Sequence, residues 1–151
     1  MVDDLLIREM VEADIDAVLE IERDSFPGDA WTRKIYRHEI IENHFAHYYV
    51  MLLGDIYVGV VGMWIVIDDA QITNIAISPH FRGRKFGEKL FGFAMQKAIQ
   101  YGAKRLSLEV RKSNIIAQRM YRKFGLIPGG IRKNYYKYKQ EDAIVMWVNL
   151  S

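Results

Sequence analysis

The sequence predicts an α+β (mixed α/β) fold in which one central sheet is flanked by helices. Stretches with a period of two, typical of strands, alternate with stretches that repeat every three to four residues, typical of helices. In order they give the pattern βααβββαβαββ, in which the block of three strands favours an antiparallel meander. No repeat or Ser/Pro-rich linker divides the chain, so we expect residues 1–151 to form a single domain.

The first elements are one strand and two helices. Residues 5–9 alternate in polarity and predict a short opening strand. Asp14 is placed to cap a first helix whose apolar residues share one face. A Pro-Gly pair within residues 26–29 should end that helix, and Thr32 should cap a second helix that reaches about residue 42.

The middle of the chain predicts three strands and a long helix. The strands are expected over residues 47–53, 57–67 and 71–77, with polar turns between them. A basic loop that contains glycines, residues 79–87, follows the third strand. A helix over residues 86–101 is then expected, because its apolar residues recur at helical spacing.

The last third predicts a strand, a short helix and two further strands. Residues 105–110 alternate between apolar and polar, which indicates a half-buried strand. A helix is expected over residues 115–123, ended by Gly125. Strands near 130–136 and 143–148 close the chain, and the second of them is apolar on both faces, which predicts a position inside the sheet.

Composition excludes several classes of protein. The 151 residues are 50% hydrophobic and contain no cysteine, which excludes a disulfide scaffold and an acyl-cysteine intermediate. The net charge of +2 does not call for nucleic acid or a membrane as partner. The acidic N-terminus does not resemble a signal peptide, so we expect a cytoplasmic protein. No metal site is expected, because His44 and His47 have no third ligand at suitable spacing, and both should be solvated.

The loop between the third meander strand and the long helix is a candidate phosphate site. Amides at the start of a helix lack partners within it and lie at the positive end of its dipole. Arg82, Arg84 and Lys85 add positive charge at that point. Neither a Walker loop nor a GxGxxG fingerprint is present. By its chemistry alone the loop is equally consistent with a solvated helix cap.

This loop resembles the acyl-coenzyme A loop of the GNAT acetyltransferases, which follows the pattern Arg/Gln-x-x-Gly-x-Gly/Ala. The segment Arg82 to Gly87 matches at both ends, and Lys85 stands where the first glycine is usual. A left-handed backbone at Lys85 would cost about 1–2 kcal/mol. The resemblance implies the GNAT fold, acetyl-CoA as co-substrate and a cofactor-binding segment made of Arg82, Gly83, Arg84, Lys85, Phe86, Gly87 and Glu88.

Further segments narrow the resemblance to the RimI-type protein N-terminal acetyltransferases. They are residues 74–77, 108–114, 121–125, 132–136 and 141–143. The bacterial members of that group acetylate the N-terminal alanine of small-subunit ribosomal protein eighteen, so the resemblance implies the N-terminus of a ribosomal protein as acceptor. One departure is the loop Gly28-Asp29-Ala30 before Trp31, where relatives often have proline.

The resemblance also assigns roles to individual residues. Glu109 matches the general base that removes a proton from the amine, and Tyr121 matches the acid that protonates the coenzyme A thiolate. Asn114 matches a residue that hydrogen-bonds the cofactor, and it can also cap the following helix. The main chain of Ile75, Ala76 and Ile77 would pair with the pantetheine arm like an added strand, and one amide there would stabilise the oxyanion.

The acceptor is expected between two sets of aromatic residues. Tyr135 and Tyr136 match the position where relatives hold the first residues of the peptide, and Phe26 and Trp31 could form the opposing wall. An α-amino group titrates near 7.7–8.0 and a lysine near 10.4, so neutralising lysine at pH 7 costs about 3.4 kcal/mol more. A single carboxylate base therefore suits a peptide N-terminus better than a lysine side chain.

Two other functions remain open from the sequence. A GNAT enzyme could act on a small cationic amine, which would favour an acidic pocket, whereas four basic residues surround the expected lip, Arg132, Lys133, Lys137 and Lys139. A binding module is a different class, because residues 132–139 interleave basic and aromatic side chains as single-strand binders do. RNA affinity without turnover would favour the module.

Overall fold

Strands and helices follow one another along residues 4–150, the part of the chain that the computed structural model describes. The strands are β1 (Leu5–Glu9), β2 (Ala46–Leu53), β3 (Ile56–Val66), β4 (Asp69–Ile77), β5 (Arg105–Arg111), β6 (Ile127–Tyr136) and β7 (Glu141–Asn149). The helices are α1 (Ile15–Ser25), α2 (Arg33–Arg37), α3 (Phe86–Gln100) and α4 (Ile115–Lys123). A π-helical turn, His38–Glu42, continues α2. The order of elements predicted from the sequence is confirmed.

The seven strands form one sheet in the order β1-β2-β3-β4-β5-β7-β6. All neighbouring strands are antiparallel except β4 and β5, which α3 connects in parallel. The predicted meander is therefore confirmed as β2, β3 and β4. β7 lies between β5 and β6, as its two apolar faces indicated.

Helices cover both faces of the sheet. The side chains of β2 alternate between the two, because successive residues of a strand point to opposite sides. Tyr48, Val50 and Leu52 pack with α1 and α2, whereas Tyr49 and Met51 pack on the side of α3 and α4. Each face therefore has its own buried cluster, and the mixed α/β sandwich that the sequence predicted is the observed architecture.

The two parallel strands separate after a short paired stretch. Asp69, Ala70 and Gln71 of β4 pair with Arg105, Leu106 and Ser107 of β5, and the described ladder ends there. From residue 72 onward β4 is paired on one side only, with β3, and the register shift in that ladder leaves Thr73 as an extra residue. The divergence opens a gap in the middle of the sheet.

The cap predicted for α1 is wrong. Asp14 has a helical backbone and its side chain makes no capping hydrogen bond to α1. Its carboxylate instead accepts hydrogen bonds from Arg8, from the hydroxyl of Tyr57 and from the amide of Val11. The predicted cap of α2 is confirmed, since the Thr32 hydroxyl accepts from the Ile35 amide at 3.2 Å.

Two residues differ from the sequence prediction, one in its secondary structure and one in its burial. Ile67, expected to end the second meander strand, is in the turn after it, with a φ of 59° and 90% exposure. His47, expected to be solvated, is half-buried with its ring 4.3 Å from that of Tyr101. Burial lowers the pKa of His47.

Within residues 4–150, no helix is both long enough and apolar enough to cross a bilayer.

Candidate active site

A cavity of about 430 Å³ lies where β4 and β5 separate. It is lined by residues 72–75 of β4 and 108–111 of β5, together with the end of α1 and the loop after it, residue 114 just before α4, residue 121 within α4, and the end of β6. Among the residues expected from the sequence, it brings together those proposed for catalysis, acceptor binding and part of the cofactor site: Phe26, Trp31, Ile75, Glu109, Asn114, Tyr121, Tyr135 and Tyr136. These residues are far apart in the sequence and line one cavity only because the sheet opens at this point.

Glu109 is held in the wall of the cavity and is not a solvated surface residue. Its side chain is 13% exposed. Oε1 accepts from the Gln71 amide at 3.3 Å, and Oε2 accepts from Arg132 at 3.4 Å. The alternation of β5 puts Leu108 and Val110 into the core and leaves Glu109 on the opposite face. A carboxylate held in this way can take up a proton from a ligand in the cavity.

Tyr121 lines the cavity from α4. Its ring is buried and its centroid is 5.0 Å from that of Phe91, which in turn packs on Phe124. Burial raises the pKa of Tyr121 above its ordinary value, so the phenol keeps its proton at neutral pH. The side chain therefore combines a packing contact with a hydroxyl donor in the cavity wall.

The four aromatic residues expected to bind the acceptor form two walls. Trp31 packs against Tyr36, with ring centroids 5.2 Å apart, and Phe26 lies on the same side of the cavity rim. Tyr135 and Tyr136 pack edge to face at 5.0 Å on the β6 side. All four thus make ordinary packing contacts and line the cavity as well.

The charge of the cavity differs from that of its rim. Its lining contains three carboxylates, Glu22, Asp29 and Glu109, and the guanidinium of Arg111. The basic rim noted in the sequence includes Arg132, whose side chain bonds Glu109 and lies over the ring of Tyr135 at 4.7 Å. Asp29 pairs with Arg111 and Glu109 pairs with Arg132, so Glu22 is the lining carboxylate that is left to favour a cationic acceptor.

The loop before α3 has a left-handed backbone at two positions. Gly83 has a φ of 77°, and Lys85 stands immediately before the helix in the left-handed conformation, with φ 64° and ψ 16°. Lysine therefore occupies a backbone conformation that glycine adopts without strain. Residues 82–85 are exposed, so the loop that leads into α3 faces solvent.

The side chains of this loop are partly engaged with the protein. Arg82 donates to the Ile77 carbonyl at 3.1 Å and to the Ser25 hydroxyl at 3.0 Å. Arg84 lies over the rings of Phe81 and Phe86, at 5.6 and 5.3 Å. The carboxylate of Glu88 pairs with Lys123 at 2.7 Å, which lowers the pKa of Glu88.

Two features suit the arm of an acyl-coenzyme A. The one-sided pairing of β4 around Ile75 leaves a strand edge facing the gap, where an extended amide-containing chain can add hydrogen bonds. Asn114 caps α4, because its Oδ1 accepts from the Ala117 amide at 3.2 Å, and it also lines the cavity. The expected double role of Asn114 is geometrically possible.

Sequence analysis missed a buried polar cluster beside the cavity. Glu22 is 2% exposed and accepts from the Tyr36 hydroxyl at 2.5 Å and from Asn74 at 3.3 Å. Burial raises the pKa of Glu22, and the hydrogen bonds from Tyr36 and Asn74 partly oppose that shift. Glu22 is a charged residue on the buried face of α1, and that conflict with the helical pattern was the available signal.

Sequence analysis also missed Asp29 and Arg111 as lining residues. Their side chains form an ion pair that joins the loop after α1 to β5. The only signal for Asp29 was the departure of its loop from the family pattern. Arg111 lies two residues after Glu109, which gave no indication of a partner 82 positions away.

Comparisons with known proteins identify the family of the chain. Residues 15–126 match the model of the acetyltransferase (GNAT) family. The chain is 52% identical over 145 residues to a Bacillus subtilis protein provisionally named ribosomal protein bS18-alanine N-acetyltransferase, covering 96% of this chain and 95% of that protein. It is 38% identical over 89 residues to the ribosomal protein bS18-alanine N-acetyltransferase of Salmonella typhimurium, covering 58% and 60% of the two chains.

A solved structure is similar over almost the whole chain. The crystal structure of the ribosomal-protein-S18-alanine N-acetyltransferase from Escherichia coli superimposes with a TM-score of 0.87 at 26% identity, covering 97% of this chain and 94% of that one. The family match and the nearly full-length relative show that the chain is an N-acetyltransferase and belongs to the GNAT family.

Proposed function

We propose that the chain transfers the acetyl group of acetyl-CoA to the N-terminal alanine amine of ribosomal protein bS18, which would place its work in the cytoplasm. The observation that carries this proposal is the shared cavity: Glu109, Tyr121 and the four aromatic residues face one space where β4 and β5 separate. The named activity of the 52% identical relative supplies the acceptor.

Acetyl-CoA would lie along the edge of β4 with its pyrophosphate at the start of α3. It supplies a thioester carbonyl as the electrophile. The amides of residues 83–88 would bind the pyrophosphate, helped by the helix dipole. The main chain of Ile75, Ala76 and Ile77 would bind the pantetheine arm, although the Ile77 carbonyl already accepts from Arg82. Asn114 would donate to the same arm from the start of α4.

Glu109 would act as the general base. An α-amino group is mainly protonated at pH 7, because it titrates near 7.7–8.0. The carboxylate of Glu109 would accept one proton from that ammonium, directly or through a water molecule, and leave a neutral amine. Gln71 and Arg132 hold the carboxylate in place while this happens.

The neutral amine would then form the C–N bond at the thioester carbonyl, and the C–S bond would break as the tetrahedral intermediate collapses. The Tyr121 hydroxyl would donate a hydrogen bond to the departing thiolate, and the second proton that the nitrogen loses would end on that sulfur. A thiol titrates near 8.5 and an ordinary phenol near 10, and burial raises the pKa of Tyr121 further. Full proton transfer from the phenol to the thiolate therefore stays uphill, even once the negative charge on sulfur is complete. A hydrogen bond that strengthens as the thiolate forms lowers the barrier at that stage.

A small cationic amine is a second candidate acceptor, favoured by one specific observation. The cavity lining has three carboxylates against one guanidinium. With Asp29 paired to Arg111 and Glu109 paired to Arg132, Glu22 remains to attract a polyamine or a peptide N-terminus. The aromatic walls favour the peptide, because they offer apolar contact area on both sides of an extended chain.

The test compares a peptide with the bS18 N-terminal sequence, the same peptide blocked at its N-terminus but carrying an added lysine, and spermidine. Release of coenzyme A is followed for the wild type and for Glu109→Gln. Turnover of the free-amine peptide alone, reduced by about 10²–10³-fold in Glu109→Gln, is the expected result. Preference for spermidine would move the assignment to the small-amine class, and equal rates for the variant would remove Glu109 as base.

A further inference from the structure

One carboxylate connects the two loops that form the acceptor side of the cavity. Asp29 lies in the α1–α2 loop (residues 26–32), and its Oδ1 accepts from the amides of Lys137 and Tyr138, at 3.2 and 3.4 Å. Those amides belong to the β6–β7 turn (residues 137–140). The other oxygen, Oδ2, pairs with the guanidinium of Arg111 on β5. Asp29 thus ties the loop that carries one aromatic wall to the turn that follows the other wall, and to the strand that carries the base.

Arg111 extends this connection. Its Nη1 donates to Glu141 at 3.1 Å and to the carbonyl of Tyr138 at 3.3 Å. Its guanidinium also lies over the ring of Tyr136, 4.2 Å from the centroid. The side chains of Arg111 and Asp29 are only 18% and 14% exposed, so the contacts are partly shielded from water and weakly screened by salt.

Gly28 lets the two loops approach each other. A Cβ at this position would lie 2.5 Å from the ring of Tyr138, closer than real side-chain atoms come. The residue also has a φ of 84°, which favours glycine. The loop that departs from the family pattern therefore fits against the β6–β7 turn in both shape and charge.

We propose that Asp29 is a positioning residue that holds the two aromatic walls, Phe26 with Trp31 and Tyr135 with Tyr136, at a fixed separation. The bonds of Asp29 to Arg111, Lys137 and Tyr138 form a bridge that stays intact during turnover. The acceptor peptide enters with its N-terminus first and does not separate the two loops. The identity of the acceptor rests on the proposed function, whereas the bridge itself does not.

The closed state follows from the bonding of Asp29. Opening the loops would remove three donors from one carboxylate at once, and it would leave Arg111 with Glu141 alone among its carboxylate partners. Partly buried charges that lose their partners are strongly destabilised. Acceptor binding would have to supply that energy if the bridge opened.

Kinetics test the positioning role. Asp29→Ala should raise KM for the peptide by about tenfold or more, with kcat within about threefold and KM for acetyl-CoA within about twofold. Asp29→Asn keeps an acceptor oxygen for the amides of Lys137 and Tyr138, so its KM for the peptide should lie between those of the wild type and Asp29→Ala. Asp24→Asn is the matched control, because Asp24 is exposed on α1. The proposal is overturned if the KM for the peptide is unchanged in Asp29→Ala, or if the KM values for the peptide and for acetyl-CoA rise by the same factor.

Amide hydrogen exchange tests the bridge without any turnover. In the wild type, the amides of Lys137 and Tyr138 should exchange more slowly than in Asp29→Ala, by about tenfold. Adding coenzyme A and the acetylated product peptide should leave that protection equal or higher. A loss of protection on adding peptide would mean that the bridge opens, and equal exchange in Asp29→Ala would mean that no bridge exists. Because free enzyme suffices for the first comparison, the result stands even if bS18 is not the acceptor.

Discussion

Arg8 and Asp14 form a two-pronged ion pair, in which the two terminal nitrogens of the guanidinium donate to the two carboxylate oxygens, each at 2.8 Å. Tyr57 of β3 donates its hydroxyl to the same carboxylate at 2.5 Å. Asp14 is 1% exposed. The pair therefore joins the edge strand β1, the start of α1 and the inner strand β3 through one buried charge.

This ion pair predicts sensitivity to acid. Burial alone would raise the pKa of Asp14, but hydrogen bonds from Arg8, Tyr57 and the Val11 amide lower it to about 2. A carboxyl whose pKa is lower in the folded state stabilises the fold above its unfolded pKa and loses that contribution as pH falls. Asp14→Asn should lose about 2 kcal/mol at pH 7, and the difference from wild type should shrink between about pH 4 and pH 2.

Urea unfolding at a series of pH values measures this difference. Asp55→Asn is the matched control, since Asp55 is exposed in the turn between β2 and β3. A difference between wild type and Asp14→Asn that stays constant down to pH 2 would show that ionisation of Asp14 contributes nothing to stability.

The left-handed backbone at Lys85 predicts a stabilising substitution. Lysine at a φ of 64° is strained by about 1–2 kcal/mol, and glycine relieves this strain at the cost of a more flexible unfolded chain. Lys85→Gly should therefore raise the free energy of unfolding by about 0.5–1 kcal/mol. Lys89→Gly makes the same change on an exposed position inside α3 and should lower it by about 1 kcal/mol. If Lys85→Gly lowers the free energy of unfolding as Lys89→Gly does, the Lys85 side chain makes a contact that compensates for its backbone strain.

Local patterns predicted most of the fold. The helix and strand order, the caps at Thr32 and Asn114 and the inner position of β7 depend on neighbouring residues, so they could be inferred from the sequence. The cap at Asp14 failed for a physical reason: Arg8 and Tyr57 offer that carboxylate stronger donors than the helix amides do. Only the folded sheet brings Tyr57 near.

Residues of the candidate site could be predicted only where they lie in a segment that resembles a family motif. Glu109 and Tyr121 were assigned through resemblance, and no local pattern distinguishes Glu109 from any polar residue on a half-buried strand. The gap that brings them together depends on where β4 leaves β5, which is a long-range property of the sheet. The contact of Asp29 with Arg111 joins residues 82 positions apart, and nothing in the spacing of either residue indicates it.

The buried carboxylate of Glu22 predicts the opposite pH dependence from Asp14. Burial raises the pKa of Glu22, so its ionised form is less favourable in the folded protein than in the unfolded chain. Its contribution to stability is largest below its unfolded pKa and is lost as pH rises through the folded pKa. The stability of Glu22→Gln relative to wild type should therefore improve as pH rises from 4 to 8.

Thermal or urea unfolding of the two proteins at each pH provides this comparison. The control is Glu20→Gln, which makes the same change on the exposed side of α1 and should leave the pH dependence of wild type unaltered. A difference between wild type and Glu22→Gln that is flat across this range would contradict a raised pKa.

The protonated phenol of Tyr121 predicts a pH profile for catalysis. Tyr121→Phe keeps the ring that packs on Phe91 and removes only the donor, so kcat should fall by about a hundredfold while the fold remains intact. Because burial raises the pKa of Tyr121, the wild-type hydroxyl stays protonated, and its ionisation should cause no decline in kcat up to about pH 10. Initial rates from pH 6 to 10 test this, with Tyr101→Phe as the control on an exposed tyrosine. A decline near pH 9 that Tyr121→Phe abolishes would place the phenol's pKa lower and bring it close to that of a thiol, so that full proton transfer would cost little.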